Sequence, residues 1–362
     1  MIVFTGGGTG GHIFPAIEIA RMAQDEGFEV AYLGSLRGQE SAICAQEKIS
    51  FEGFPSEPIH SFKSRKGLSS MIKILKASRL SQRVLRVQRP EAIFSTGGYS
   101  AAPILMAAHH LRIPYVIHES NSIPGRTNRI FSKWCSAFTS VFHKTSDVIP
   151  HAIRTGQPIR RELLLRVSEI NLRPDNFQKI LITAGSQGSE FLNNSIIDAI
   201  RELPESLSWI HLTGPSHYEQ VKTKKVHRNH SIHKFLQGNE IADAYVQSSL
   251  AIARSGGTLA ELARFQLPSI LVPLPSAADD HQNYNALEFE SMGASIRLQQ
   301  ENATCQQFVE SIQHWVHDAD ARKAAQTALR KWDIADSNER VWSLLKRTAL
   351  RGQSGASKAI SS

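Results

Sequence analysis

Cysteine is nearly absent: the 362 residues contain three, Cys44, Cys135 and Cys305. An odd number at wide spacing excludes a disulfide framework and a cysteine zinc site, and it fits a reducing compartment. Long apolar runs are missing too. AAPILMAA (101–108) stops at His109 and His110, well short of the ~20 residues a spanning helix needs. Glycine arrives at position 6, before an apolar stretch of signal-peptide length can form, so no signal peptide is expected. Acidic residues are missing from one segment in particular. HSFKSRKGLSSMIKILKASRLSQRVLRVQRP (60–90) holds nine Lys or Arg and no Asp or Glu.

What is present describes a globular chain. Apolar residues make up 41% and charged residues 20%, and the length favours two domains of ordinary size. The net charge of +8 points to an anionic partner such as nucleic acid, anionic lipid or a phosphorylated ligand. Short β-branched runs alternate with helical patterns: IVFTG (2–6), EVAYLG (29–34), AIFSTG (92–97), PYVIHE (114–119) and AFTSVF (137–142) in the first half. KILITAG (179–185), SWIHLTG (208–214), SLAIARSG (249–256), PSILVPLP (268–275) and ASIRL (294–298) follow in the second. Strands alternating with helices predict an α/β fold with a parallel sheet in each half.

The two halves open alike. IVFTGGGTGG (2–11) aligns with ILITAGSQGS (180–189), matching Thr5 with Thr183, Gly7 with Gly185 and Gly10 with Gly188. Each is a strand, a turn of small residues and a helix start, where backbone N–H groups favour phosphate. By spelling, Gly6, Gly8 and Gly11 satisfy a dinucleotide fingerprint. The second strand, however, ends in Leu33-Gly34-Ser35, without the acidic residue that would hold a ribose. The run also resembles the GGGTGTG loop of tubulin-like GTPases, which sits well inside its chain. An acceptor-binding loop is the better reading.

His12 follows at once, where the turn becomes a helix. An arbitrary histidine there is more often a cap or a packing residue. Here the surrounding glycines remove bulk, and the helix N-terminus favours a neutral imidazole, which serves as a general base near pH 7. In the second half, Ser186 and the turn N–H groups suit a diphosphate without a Walker lysine, and Arg160 can add a charge-assisted contact. Glu261, one turn into the helix after ARSGG (253–257), can accept both hydroxyls of a ribose. DDHQNYNA (279–286) clusters Asp280, His281, Gln282 and Asn285. No i,i+4 histidine pair or cysteine accompanies them, so no metal is expected, and the amides suit sugar hydroxyls. In segment 60–90, Leu68, Met71, Ile72 and Leu75 share a helical face ringed by Lys73, Lys76 and Arg79. Each cation near an anionic leaflet contributes ~1 kcal/mol, so an anionic membrane surface is the expected partner. Nucleic acid is not expected, since no binding fold or aromatic pattern accompanies the charge.

Taken in order, GGGTGGHIFPA (6–16), STGGYSAAP (95–103), HESNSIPGRTNR (118–129), GQPIR (156–160), AGSQGS (184–189), RSGGTLAEL (254–262) and DDHQNYNA (279–286) resemble the family 28 glycosyltransferases that add N-acetylglucosamine to lipid I to make lipid II. The resemblance implies a GT-B fold, two Rossmann-like parallel-sheet domains facing an interdomain cleft. The expected domains are 1–153, binding acceptor and membrane, and 154–350, binding UDP-GlcNAc, with a last helix that packs back on the first domain and a disordered tail over 351–362. Residue by residue, Thr9, Gly10 and Gly11 match the family's first donor-contacting loop, Asn121 its HExN asparagine, Arg160 its GNPVR arginine and Ser186 its GGSQG serine. Leu236 matches an apolar uracil contact, Gly257 and Thr258 backbone contacts, Glu261 the ribose glutamate and Gln282 the sugar-reading glutamine. Gln157 replaces an asparagine, Ala184 a glycine, and RSGGTLAE is one residue shorter than the family pattern.

The reaction implied is an inverting transfer from UDP-GlcNAc to the C4 hydroxyl of the muramyl sugar of lipid I, with His12 as base and no cofactor. The implied location is peripheral, on the cytoplasmic face of the bacterial cell membrane, with other cell-wall synthesis proteins as candidate partners. Three rivals are another GT-B lipid glycosyltransferase, a UDP-GlcNAc 2-epimerase, which needs no acceptor, and a nucleotide-binding membrane scaffold without chemistry.

Overall fold

The computed structural model describes residues 1–8, 10–36, 38–55, 65–172, 177 and 179–360, the side chains of 65–71, 172 and 352–360 excepted. Two compact units result, one of Met1–Ile159 with Asp336–Ser362, the other of Arg160–Ala335.

The first unit runs β1 (Ile2–Thr5), α1 (Gly10–Asp25), β2 (Val30–Ser35), α2 (Glu40–Gln46), β3 (Ser50–Phe54), α3 (Arg65–Gln88), β4 (Ala92–Ser95), α4 (Ala101–Leu111), β5 (Tyr115–Glu119), α5 (Arg126–Phe131), β6 (Ala137–Ser140), α6 (Thr145–Val148) and β7 (Ile153–Arg154). The second runs α7 (Arg161–Leu164), β8 (Lys179–Thr183), α8 (Glu190–Glu202), β9 (Ser208–Leu212), α9 (Tyr218–Lys222), β10 (His230–His233), α10 (Gly238–Gln247), β11 (Ser248–Ala253), α11 (Thr258–Arg264), β12 (Ser269–Leu271), α12 (His281–Ser291), β13 (Ser295–Arg297), α13 (Cys305–His317) and α14 (Ala319–Trp332). Helix α15 (Ser337–Ile360) returns to the first unit.

The sheets have seven strands in the order β3-β2-β1-β4-β5-β6-β7 and six in the order β10-β9-β8-β11-β12-β13. All the pairings are parallel. The β-branched runs form the central strands because helices cover both faces. In β1, Ile2 and Phe4 join Ile13, Ile17 and Ile19 of α1 on one side. Val3 joins Ile104 and Leu105 of α4 on the other. The order reverses direction between β1 and β4 and again between β8 and β11, and ligands of open α/β sheets bind at the carboxyl ends of strands at such points. Thr5 is level with Ser95 in the first sheet, and Thr183 with Ala253 in the second. The glycine turns at 6–11, 96–98, 184–189 and 254–257 therefore leave from these switch points.

The division falls at Ile159/Arg160, a few residues past the sequence boundary. Strand β7 pairs with β6, and Asn338 of α15 holds both the N–H and the carbonyl of Ile159, at 2.8 and 2.9 Å. Val341, Trp342, Leu345 and Ala349 of α15 enter the core of the first unit, and Trp342 donates to Glu26 at 2.6 Å. The helix continues through Ile360, where a disordered tail was expected from residue 351. Extending an existing helix needs no new nucleation, which carries it past Gly352 and Gly355 despite their poor helix propensity.

Candidate functional site

In the first unit, two glycine turns touch. A Cβ on Gly98 (φ +80°) would lie 2.4 Å from the Gly7 carbonyl oxygen, so only glycine fits this approach. Gly10 and Gly11 form the first turn of α1, with His12 third in the helix and half-buried. Thr9 lies outside the described residues. Thr96, after β4, donates its hydroxyl to the His12 carbonyl at 2.7 Å and its N–H to Thr5 at 3.0 Å. This ties the histidine's backbone to the central strand.

A second histidine sits deeper. His118 of β5 is buried, with Nδ1 2.9 Å from Thr139 Oγ1 and Nε2 3.2 Å from Gln157 Oε1. Burial chiefly lowers its pKa to about 4 against the pull of the Gln157 hydrogen bond, and the neighbouring His12 further disfavours a positive charge there. It is neutral at pH 7 and structural rather than acid–base. Gln157, the departure noted in GQPIR, is the residue that meets it. Asn121 is positioned by Glu119, whose Oε1 accepts both the Asn121 N–H at 3.0 Å and its side-chain amide at 3.2 Å. The other oxygen of Glu119 takes the Gly125 N–H at 3.0 Å and Asn128 at 2.8 Å. Burial pushes the Glu119 pKa up against these hydrogen bonds.

In the second unit, Ser186 is half-buried in the turn between β8 and α8. Ser189 caps α8 by accepting the Leu192 N–H, and Arg254 donates to the same Ser189 hydroxyl at 2.8 Å. The remaining partners of Arg254 are the carbonyls of Val272 and Pro273 and the Gln300 amide oxygen. Burial lowers its pKa to about 10, so it stays charged at pH 7. A cation with only neutral partners among the described residues thus sits against the helix N-terminus that follows the turn, reinforcing its attraction for an anion.

Arg160 and Glu261, 101 positions apart in the chain, pair at 3.0 Å. Burial works most strongly against the guanidinium, but Glu261, Tyr245 and Glu162 together outweigh it and the pKa stands above the usual value. Tyr245 of α10 donates its hydroxyl to the other oxygen of Glu261 at 2.5 Å. Gly257 precedes α11 and Thr258 opens it, with Glu261 in the first turn. Gln282 accepts the Leu274 N–H at 3.0 Å on its side chain and the Ser255 hydroxyl at 2.7 Å on its carbonyl. Asn285 donates to the Ser255 carbonyl at 2.9 Å, so the loops after β11 and β12 form one rim. Leu236 is half-buried in the loop that leads into α10.

The structure thus joins Arg160 to Glu261 and Gln282 to the 254–257 loop. The sequence reading had not singled out Tyr245, Arg254 or Glu119. Glu119 stood within a quoted motif and Arg254 began another. Tyr245 looks like ordinary helical core.

Residues 2–140 match the glycosyltransferase family 28 N-terminal domain and residues 179–341 its C-terminal domain. A Lactococcus lactis protein named UDP-N-acetylglucosamine--N-acetylmuramyl-(pentapeptide) pyrophosphoryl-undecaprenol N-acetylglucosamine transferase is 31% identical over 357 residues, 95% of this chain and 98% of that protein. The crystal structure of MurG from Acinetobacter baumannii superposes with a TM-score of 0.77 at 26% identity, covering 96% of this chain and 99% of that one. A UDP-GlcNAc 2-epimerase from Neisseria meningitidis shares the fold alone, at TM-score 0.64 and 14% identity over 96% of this chain and 100% of that one. The two parallel sheets are those of a GT-B glycosyltransferase.

Proposed function

The chain belongs to glycosyltransferase family 28, and from that premise we propose how its two units divide a sugar transfer. It is an N-acetylglucosaminyltransferase that moves GlcNAc from UDP-GlcNAc to lipid I in peptidoglycan synthesis, as the name of its full-length Lactococcus relative describes. The observation that carries the division of labour is the pair of glycine turns at the two switch points. One presents a histidine, and the other lies beside a charged arginine and a helix N-terminus.

The second unit takes the donor. Ser186, the N–H groups of its turn and Arg160 hold the diphosphate. Glu261 takes the ribose, Gln282 reads the sugar, Gly257 and Thr258 offer backbone contacts, and Leu236 contacts the uracil. The first unit takes the acceptor; Thr9, Gly10 and Gly11 contact the donor as their motif implies, and Asn121 adds a further substrate contact. His12 removes the proton from the C4 hydroxyl of the muramyl sugar as that oxygen attacks the anomeric carbon, with inversion. Charge developing on the departing UDP is met by Ser186, Arg160 and backbone donors.

No helix among the described residues is long and apolar enough to cross a membrane. Helix α3 supplies a surface anchor instead. Ile72, Leu75, Leu80 and Val87 are exposed on it beside Lys73, Lys76, Arg79, Arg83 and Arg86. Ile74, Ala77, Ser81 and Leu85 face inward and are buried. Residues 60–64 and the side chains of Leu68 and Met71 lie outside the described residues. An exposed apolar row flanked by cations fits an anionic leaflet and supports a peripheral position, on the cytoplasmic face in this reading.

Incubation with radiolabelled UDP-GlcNAc and a lipid I analogue should yield a lipid-linked disaccharide. ManNAc or UDP-ManNAc formed from UDP-GlcNAc alone would favour an epimerase. Nucleotide binding without either product would favour a scaffold.

A further inference from the structure

We propose that Tyr245 is a positioning residue for donor recognition: its hydroxyl fixes the carboxylate of Glu261 so that two acceptor sites remain for a ribose diol. The inference rests on the reading of Glu261 as the ribose ligand and adds the group that orients it.

The geometry is specific. Glu261 receives Arg160 Nη2 on Oε1 at 3.0 Å and the Tyr245 hydroxyl on Oε2 at 2.5 Å. A carboxylate offers about four lone-pair sites, so among the described residues one site stays open on each oxygen, spaced for vicinal hydroxyls. Tyr245 itself cannot swing away. Its ring is buried and stacked on Phe265, with centroids 5.0 Å apart and planes 20° from parallel. Burial and the adjacent Glu261 keep the phenol far above its usual pKa, so it remains a donor and the hydrogen bond has one direction. Without it, the carboxylate is free to turn toward Arg160 into a two-bond fork, the preferred geometry of that pair. That rotation uses the sites the ribose needs. It also ties up the guanidinium that the diphosphate needs.

The test measures the affinity of the full-length chain for UDP and for 2′-deoxy-UDP by titration calorimetry, and takes their ratio within each protein so that any unfolded fraction cancels. The wild type should prefer UDP, and Glu261→Gln should abolish most of that preference. Tyr245→Phe, which keeps the ring and its stack on Phe265, should weaken UDP binding on the order of tenfold, the usual worth of a hydrogen bond to a charged group. It should weaken 2′-deoxy-UDP less, so the preference narrows. Tyr245→Met lacks the donor as well and should narrow it likewise. If both Tyr245 variants keep the wild-type preference while Glu261→Gln loses it, the ribose reading stands and the positioning role falls. If Glu261→Gln also keeps the preference, the ribose reading falls and the positioning role falls with it.

Discussion

The Thr96 hydroxyl donates to the backbone carbonyl of His12 at 2.7 Å, linking the end of β4 to the first turn of α1. Thr96 is buried, so Thr96→Val would leave that carbonyl without this donor at a cost of about 1–3 kcal/mol. With His12 as the base, its displacement should lower kcat while UDP affinity, proposed for the other unit, is unchanged. His12→Ala sets the limit, with kcat falling ~10²–10⁴-fold. Thr96→Ser, which keeps the hydroxyl, should recover most of the rate. Equal kcat for the Val and Ser variants would remove Thr96 from the mechanism, and near-normal turnover of His12→Ala would remove the base itself.

Gly185 and Gly188 separate two reasons for glycine within one turn. Both have left-handed backbone, with φ +76° and +75°, but a Cβ on Gly185 meets nothing within 4 Å, whereas one on Gly188 would lie 2.0 Å from the Thr213 carbonyl oxygen. Gly185→Ala should therefore cost only the conformational term of about 1–2 kcal/mol. Gly188→Ala must also push β9's end away from the turn, and should cost measurably more and weaken UDP binding. Urea unfolding of both variants decides the matter, and equal midpoints would contradict the close approach.

Acid should destabilise the fold through histidines held neutral. His118 is lowered to about 4, and His230 to about 4 and His211 to about 3 in the second unit, in each case chiefly by burial. The unfolded chain takes up these protons near pH 6.5 and the folded chain refuses them until lower pH. Stability is thus fully present above pH 6.5 and is lost as pH falls from there through the folded values. For His118 alone the loss at pH 5 is about 2 kcal/mol. His118→Gln should shrink the difference between denaturant midpoints at pH 7 and pH 5. An unchanged difference would show that His118 does not titrate in this way.

What the residues revealed in advance followed from burial and spelling. The ten β-branched runs all became strands, nine of them central and buried on both faces and the tenth, β13, at a sheet edge. Strands β3, β7 and β10 escaped notice. SFEGF and HSIH are partly exposed and mix polar with apolar positions, and β7 spans two residues. Arg160 and Glu261 each stand out in their motifs as candidate ligands. Their pairing does not, since it depends on where β8 to β11 bring two distant loops. Tyr245 carried no signal at all, because a buried tyrosine on α10 is indistinguishable in sequence from core until its hydroxyl is placed.

Helix α3 should bind anionic vesicles through both of its exposed chemistries, and the two can be separated by salt. Lys73, Lys76 and Arg79 are exposed, and at ~1 kcal/mol for each charge their combined replacement by Gln should weaken partitioning roughly 100-fold. Ile72 and Leu75 are exposed beside them. Ile72→Ser with Leu75→Ser removes buried apolar area at the interface, a loss that persists when salt has screened the charges. Co-sedimentation with vesicles containing anionic lipid, at low and high ionic strength, should therefore show the Gln variant defective at low salt and converging on wild type at high salt. The Ser variant should be defective at both. Wild-type sedimentation of the Gln variant at low salt, or equal binding to neutral vesicles, would mean that α3 is a solvated face and that the enzyme reaches its lipid substrate by another surface.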